Sequence, residues 1–227
     1  SKPVTFHDLI CGDITIDYRD ASNTPDMAIR RADGSYIFHF VNVVDDIEMK
    51  MTHVIRGEDH IMNTPKHIQL FEAFGVTPPV FAHMPLILNQ DGSKMSKRDV
   101  GAALGAYPEE GFLPEGVMNF LALLGWSPRG ELAEQEVFSL EELVAAFDLA
   151  GVSKSPAIFD IEKLTHFNAL YLRAMEPADF ARAAEPYIRQ SVKDPALDAA
   201  EIAGLLQARC ERLTDIPEKV DFFDALP

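Results

Sequence analysis

The sequence predicts an α/β fold with parallel strands, followed by an all-helical unit. Three observations carry this. Between Tyr36 and Leu88, strand-like apolar runs alternate with helical patterns, the order that builds a parallel sheet. After Gly101 strands all but vanish, and capped apolar-striped helices succeed one another. The first thirty residues mix short strand-like pieces with turn residues and read as the tail end of a larger β-containing unit.

In chain order, Val4-Thr5-Phe6 and Ile14-Thr15-Ile16 read as strands around Cys11-Gly12-Asp13, and Asp20 to Asp26 as a loop. Met27 to Arg30 is another short strand, and Ala32-Asp33-Gly34-Ser35 a turn. Tyr36 to Val44 is rich in aromatic and β-branched residues and apolar on both faces. Its pattern predicts a strand in the middle of a covered sheet, with Phe38, Phe40 and Asn42 sharing one face. Asn42 breaks the apolar run, so it either bonds a neighbouring loop or points into a site. A short helix from Val44 to about Met51 follows, then a strand His53 to Arg56. Thr64 as N-cap, Pro65 at the first helical position and Gly75 past the end frame the next helix. His67 on it reads as a helix-surface or second-layer residue. Val80 to Leu88 is the third strand region.

Further on, Glu115 to Leu124 is helical and Gly125-Trp126-Ser127-Pro128 stops it. Ser139-Leu140-Glu141-Glu142 is a capping box, with Phe138 and Leu143 placed as a hydrophobic staple, opening a helix to about Leu149. Asp160 caps a helix through Ala174, Pro177 opens one to about Gln190, and Ala199 to Leu213 forms the last.

A chain of 227 residues can build one large core or two modest ones, and 47% apolar residues can fill them. No apolar run approaches the roughly 18 residues of a membrane span, and no signal-peptide pattern opens the chain. The chain's first residue is not methionine, which leaves room for processing or a cut. Two distant cysteines, Cys11 and Cys210, without metal-type spacing imply free thiols, a cytoplasmic protein and no zinc. The net charge of −16 excludes a broad nucleic-acid footprint. It is uneven: residues 1–100 hold 10 basic and 14 acidic side chains, and residues 101–227 hold 10 and 22.

Against that background Asp91-Gly92-Ser93-Lys94-Met95-Ser96-Lys97-Arg98-Asp99 is the local exception. It is a turn carrying three cations, with only Met95 suited to burial. Such a loop is either a solvated basic turn or a seat for a polyanion such as a triphosphate, which lysines meet as mobile point charges and an arginine as a fork. Arg56, directly before Gly57-Glu58-Asp59-His60, lies at the carboxyl end of its strand, where open α/β sheets bind ligands. It either receives a carboxylate or phosphate there, or Arg56, Glu58 and Asp59 neutralise one another.

Lys94-Met95-Ser96-Lys97-Arg98 resembles the KMSKS-type loop of class I aminoacyl-tRNA synthetases. Thr52 to His60 with Asn63-Thr64-Pro65, and Ala82 to Leu88 ahead of that loop, resemble the second half of the Rossmann-like catalytic domain of bacterial-type glutamyl-tRNA synthetases. Gly111 to Glu115, Leu124-Gly125-Trp126 and Val152 to Ser155 resemble that family's helical stem-contact region.

The resemblance implies the end of an inserted acceptor-binding region over 1–30, the second catalytic half over 31–100 and a helical stem-contact domain over 101–227. It implies glutamate activation with ATP, followed by transfer to tRNA(Glu). Lys94 and Lys97 become the catalytic cations. Asp59, Lys94, Met95, Ser96, Lys97 and Arg98 become ATP contacts, and Phe38, Asn42 and Arg56 amino-acid contacts. ATP is a substrate and Mg2+ is expected with it; no protein metal site, DNA or membrane partner is implied, and the protein is expected to be a monomer. Many members carry tyrosine where Phe38 stands, which shifts glutamate selectivity onto other residues.

No HIGH-type motif and no anticodon-binding helices are found in the sequence. The chain is therefore expected to hold only part of an active site. A non-catalytic tRNA stem-binding module and a glutaminyl-type or truncated relative are the alternatives. The segment Arg56 to His60 favours the glutamyl branch, and the long helical region disfavours the truncated one.

Overall fold

The computed structural model describes residues 3–17, 19, 27–96 and 103–223. The chain forms two compact units, Ser1–Leu86 with Asp148–Ala157, and Ile87–Phe147 with Ile158–Pro227.

The first unit is built on a four-stranded sheet. β1 (Val4–Asp8) and β2 (Gly12–Ile16) form an antiparallel hairpin, with Val4 opposite Ile16 and Asp8 opposite Gly12. β3 (His53–Gly57) runs parallel to β4 (Val80–Met84), and β1 meets β4 in parallel at Asp8 and Phe81. The order is β2-β1-β4-β3. β4 therefore lies between two strands, and its Phe81, Ala82 and His83 are all buried. Phe6, Ile68 and Phe81 make the small apolar core. The parallel strands and the connecting helix agree with the α/β reading.

Tyr36 to Val44 is not a strand. α1 spans Phe38–Glu48, absorbing both the expected strand and the short helix expected after it. Along it Phe38, Val41, Asp45 and Glu48 are exposed, while Phe40, Val43, Asp46 and Ile47 turn inward. That spacing of three and four is the helical period. An apolar run without polar alternation cannot distinguish the two periods, and packing overrode its strand propensity. Met27 to Arg30 likewise reduces to one bridge between Arg30 and Tyr36. α2 (Thr64–Ala73) ends at Gly75, whose φ of 71° suits glycine. Thr64 does not cap it: a 3-10 turn, Glu58–Asn63, runs straight into the helix, and the threonine hydroxyl points elsewhere.

The second unit opens with β5 (Ile87–Leu88) and a tight reversal back to Lys94. Its helices are α3 (Pro114–Leu123), α4 (Leu140–Ala146), α5 (Ile161–Ala174), α6 (Pro177–Ser191), α7 (Ala199–Leu206) and α8 (Ile216–Lys219). The Ser139 capping box forms in both directions, and Asp160 caps α5 through Glu162 and Lys163 N–H. α4 stops at Ala146, short of the expected Leu149, because Asp148 caps a separate turn. The helix expected through Leu213 ends at Leu206. There Gln207 turns its amide to the carbonyls of Leu172 and Met175 at the end of α5.

One core joins α6 and α7 through Phe180, Ala184, Ile188, Ile202 and Ala203; another gathers Tyr107, Phe112, Phe120, Leu164 and Phe167. Two buried asparagines fasten loops to these helices. Asn119 bonds Glu136 and Phe138, and Asn168 bonds Leu113 and Glu211. No helix among the described residues is long and apolar enough to cross a membrane.

Candidate active site

The carboxyl ends of β3 and β4 converge on Arg56. Parallel register sets Arg56 directly beside His83, and Arg56 Nε donates to His83 Nε2 at 3.2 Å. Arg56 Nη2 donates to Thr64 Oγ1 at 2.8 Å and to the His60 carbonyl at 3.4 Å. Nη1 donates to His67 Nδ1 at 3.4 Å. The Phe81 ring lies beneath the guanidinium, 5.8 Å from its carbon.

Arginine has no acceptor, so these contacts fix both imidazoles. His83 Nε2 must accept, leaving its proton on Nδ1, which donates to Asp8 Oδ2 at 2.6 Å. His67 Nδ1 must also accept, so its Nε2–H donates to His39 Nδ1 at 2.9 Å. Protons therefore point outward from Arg56 along two chains, one to Asp8 and one to His39.

Electrostatics agree with the geometry. Burial depresses the Arg56 pKa, against the opposing pull of Asp46 and Asp59. Burial, then Arg56 and the neighbouring histidines, bring His67 down to about 3. His83 and His39 are lowered too, chiefly by burial. Burial alone would raise Asp8, but N–H groups of Cys11, His83 and Ile10 and the His83 ring outweigh it and hold its carboxyl below the ordinary range. The first unit thus contains a buried carboxylate, neutral imidazoles and a half-buried guanidinium.

α1 brings Phe38 and Asn42 to one face, as expected, but at the i, i+4 spacing of a helix rather than along a strand. The exposed Phe38 ring lies 5.4, 6.2 and 6.1 Å from the rings of His39, His60 and His67. Asn42 bonds neither a loop nor empty space; its amide donates to Asp46 Oδ2, one turn on, at 3.1 Å. Burial raises the pKa of Asp46 while Arg56 works against it. Asp59 lies exposed on the 3-10 turn, and Gly57 makes room for it: a Cβ there would stand 2.6 Å from Asp59 Oδ1. Glu58 accepts from Leu86 N–H.

In the second unit, the expected turn at Asp91-Gly92 forms. Asp91 Oδ1 accepts from Ser93 N and Oγ, Gly92 takes a φ of 82°, and Met95 N donates to Ile87 O. Lys94 and Ser96 are exposed, and Met95 packs against the core around Tyr107 and Phe112. Lys97 and Arg98 lie outside the described residues.

The sequence does not single out Asp8, His39 or His83 as site residues, and it marks Thr64 only as a helix cap. Of the two readings of His67, helix surface or second layer, the second holds, since it is buried and bonded to Arg56. One signal was available: five of the seven histidines fall between His39 and His83. Among the described residues no group of three or more His, Cys, Asp or Glu side chains could hold a metal ion.

The arginine stands at the carboxyl end of a parallel strand, the place where open α/β sheets of Rossmann-like enzymes bind their ligands. The catalytic-domain model of class I tRNA synthetases (E and Q) matches residues 1–166, and the chain belongs to that family. It is 70% identical over 225 residues to a glutamate–tRNA ligase of Akkermansia muciniphila, covering 98% of this chain and 51% of that protein. A glutamate–tRNA ligase of Clostridium botulinum is 41% identical over 222 residues, covering 98% and 44%. The crystal structure of a glutamate tRNA ligase from Elizabethkingia meningosepticum in complex with its amino acid superposes with a TM-score of 0.84. Its identity is 34%, over 97% of this chain and 47% of that one. The chain spans about half the length of the relatives it matches.

Proposed function

We propose that the chain carries part of the active site of a glutamate–tRNA ligase, which joins glutamate to AMP and passes it to the 3′ end of tRNA(Glu). The observation that carries this is Arg56: a strand-end guanidinium held by neutral acceptors, with no carboxylate hydrogen-bonded to it among the described residues. On α1, Phe38 lies against the His67 ring that Arg56 bonds, and Asn42 bonds Asp46, whose charge acts on Arg56. In this reading Arg56 receives the amino acid, with Phe38 and Asn42 completing its pocket.

Asp59 and the segment Lys94, Met95, Ser96, Lys97 and Arg98 contact ATP. Attack on the α-phosphate builds negative charge on the departing pyrophosphate, and Lys94 and Lys97 stabilise it as it develops. Mg2+ would enter with the nucleotide and offset the charge of its phosphates. Among the described residues no group of three or more His, Cys, Asp or Glu side chains could hold the ion without the nucleotide. Residues 1–30 belong to an acceptor-binding insertion, 31–100 to the second catalytic half and 101–227 to a stem-contact domain. The protein works as a cytoplasmic monomer, with glutamate and tRNA as its partners.

Pyrophosphate exchange and tRNA glutamylation, measured on the complete protein that carries this chain, test the reading. Arg56→Lys is expected to raise the KM for glutamate selectively, and Lys94→Ala to lower kcat. Glutamate turnover indifferent to both substitutions would overturn the assignment.

A further inference from the structure

We propose that Asp8 and His83 are positioning residues for Arg56: a buried pair that supplies the guanidinium's countercharge at one remove, so that its remaining Nη1–H stays available to an anionic substrate. This rests on the reading of Arg56 as the amino-acid contact.

Both residues are fully buried, and neither reaches solvent or a ligand directly. Asp8 is used to capacity: Oδ1 accepts from Ile10, Cys11 and His83 N–H at 3.0, 2.8 and 3.1 Å, and Oδ2 from the His83 ring at 2.6 Å. Those backbone bonds lock the carboxylate, and the carboxylate locks the imidazole tautomer. The remaining imidazole lone pair takes Arg56 Nε–H at 3.2 Å.

A carboxylate placed directly on Arg56 would engage two parallel N–H bonds as a fork and neutralise the face a substrate needs. An imidazole spacer accepts one N–H only, from Nε, and draws the guanidinium toward the sheet. The named acceptors take one N–H from Nε, one from Nη1 and both from Nη2. Among the described residues none takes the other Nη1–H of this half-buried side chain, which is left for an incoming oxygen.

The pair also makes a sharp chemical prediction. In Asp8→Asn the carboxamide oxygen can still accept the backbone bonds, but its NH2 then faces His83 Nδ1. The ring must shift its proton to Nε2, and two donors confront each other at Arg56, as happens when a carboxamide holds a catalytic imidazole in the wrong tautomer.

The test uses the complete protein that carries this chain. Asp8→Asn, His83→Gln, His83→Phe and Arg56→Lys are compared by the KM values for glutamate and ATP in tRNA glutamylation. The nitrogen chemical shifts of the His83 ring are read in the parent and in Asp8→Asn.

Expected are an Nδ1–H ring in the parent, an Nε2–H ring in Asp8→Asn, and a KM for glutamate raised roughly tenfold or more with the KM for ATP within about twofold. His83→Gln keeps an acceptor near the Nε2 position and recovers part of the affinity that His83→Phe loses. Should Asp8→Asn fail to fold, His83→Gln against His83→Phe decides. An Nε2–H ring in the parent overturns the proposal. So does a folded Asp8→Asn protein with unchanged KM for glutamate while Arg56→Lys raises it, or equal KM values for His83→Gln and His83→Phe. If Arg56→Lys leaves the KM for glutamate unchanged, the substrate reading of Arg56 fails first and the proposal falls with it.

Discussion

Thr64 Oγ1 lies 2.8 Å from Arg56 Nη2 and 3.0 Å from His83 Nε2. One hydroxyl therefore accepts from the guanidinium and gives its proton to the His60 carbonyl at 3.3 Å, because the one lone pair of His83 Nε2 is engaged by Arg56 Nε–H. Thr64→Val keeps the shape and removes both roles. Leaving a buried donor unsatisfied costs about 1–3 kcal/mol. Urea unfolding of Thr64→Val is expected to show a loss in that range, with Thr64→Ser close to the parent. Equal stability of all three would mean that the hydroxyl contributes no net bond.

His67 makes stability depend on pH. Its pKa falls from 6.5 unfolded to about 3 folded, so between those values the unfolded chain binds the extra proton. The contribution is fully present above pH 6.5 and is lost progressively as pH falls toward 3. His39 and His83 shift in the same direction and steepen the fall. Replacing His67 by a residue that does not titrate, as in His67→Gln, is expected to flatten the midpoint-versus-pH curve over that window. A curve with unchanged slope would show that His67 does not carry it.

The helical unit was legible because its punctuation is chemical and local. Ser139 with Glu142 and Asp160 mark helix starts by capping nearby backbone N–H groups, Pro177 marks one by its fixed φ and missing N–H in the first turn, and each start falls where the sequence places it. Arg56 was legible because glycine and charge follow a strand. α1 was not, because Phe38 to Val44 satisfies both periods and only packing against α2 chooses between them. The partners of Arg56 were hidden for another reason. Asp8 and His83 are 75 residues apart, and a buried polar pair leaves no periodic trace in either segment.

Asn168 should be among the most sensitive positions in the second unit. It is fully buried; Oδ1 accepts from Leu113 N at 2.7 Å and Nδ2 donates to Glu211 O at 2.5 Å. Asn168→Asp keeps the volume and the acceptor but cannot donate while ionised, so a carboxylate would face a carbonyl. Asn168→Ala leaves both backbone groups unpaired at about 1–3 kcal/mol each. Thermal denaturation is expected to show a lower midpoint for both, and Asn168→Asp should recover on acidification as the carboxyl gains a proton to donate. No change in either midpoint would show that water replaces both bonds.

Met95 anchors the cationic loop. Its side chain packs against the core around Tyr107 and Phe112, while Lys94 before it and Ser96 after it are exposed. If the anchor fixes where the preceding ammonium group sits, loosening it should act on the chemical step rather than on amino-acid binding. Met95→Ser removes the apolar seat without touching a charge. Lys94→Ala removes the charge without touching the seat. On the complete protein, Lys94→Ala is expected to lower kcat about a hundredfold, the scale of one lost donor to a developing anion. Met95→Ser should give a smaller fall of the same kind, because proper placement accounts for much of an electrostatic group's effect. Both should leave the KM for glutamate within about twofold, in contrast to Arg56→Lys, which removes an interaction made with the bound substrate. Pyrophosphate exchange with tRNA present reads kcat and KM separately. A Met95→Ser protein whose kcat equals the parent's would show that the loop needs no anchor, and a change confined to the KM for glutamate would place Lys94 with the amino acid instead of the nucleotide.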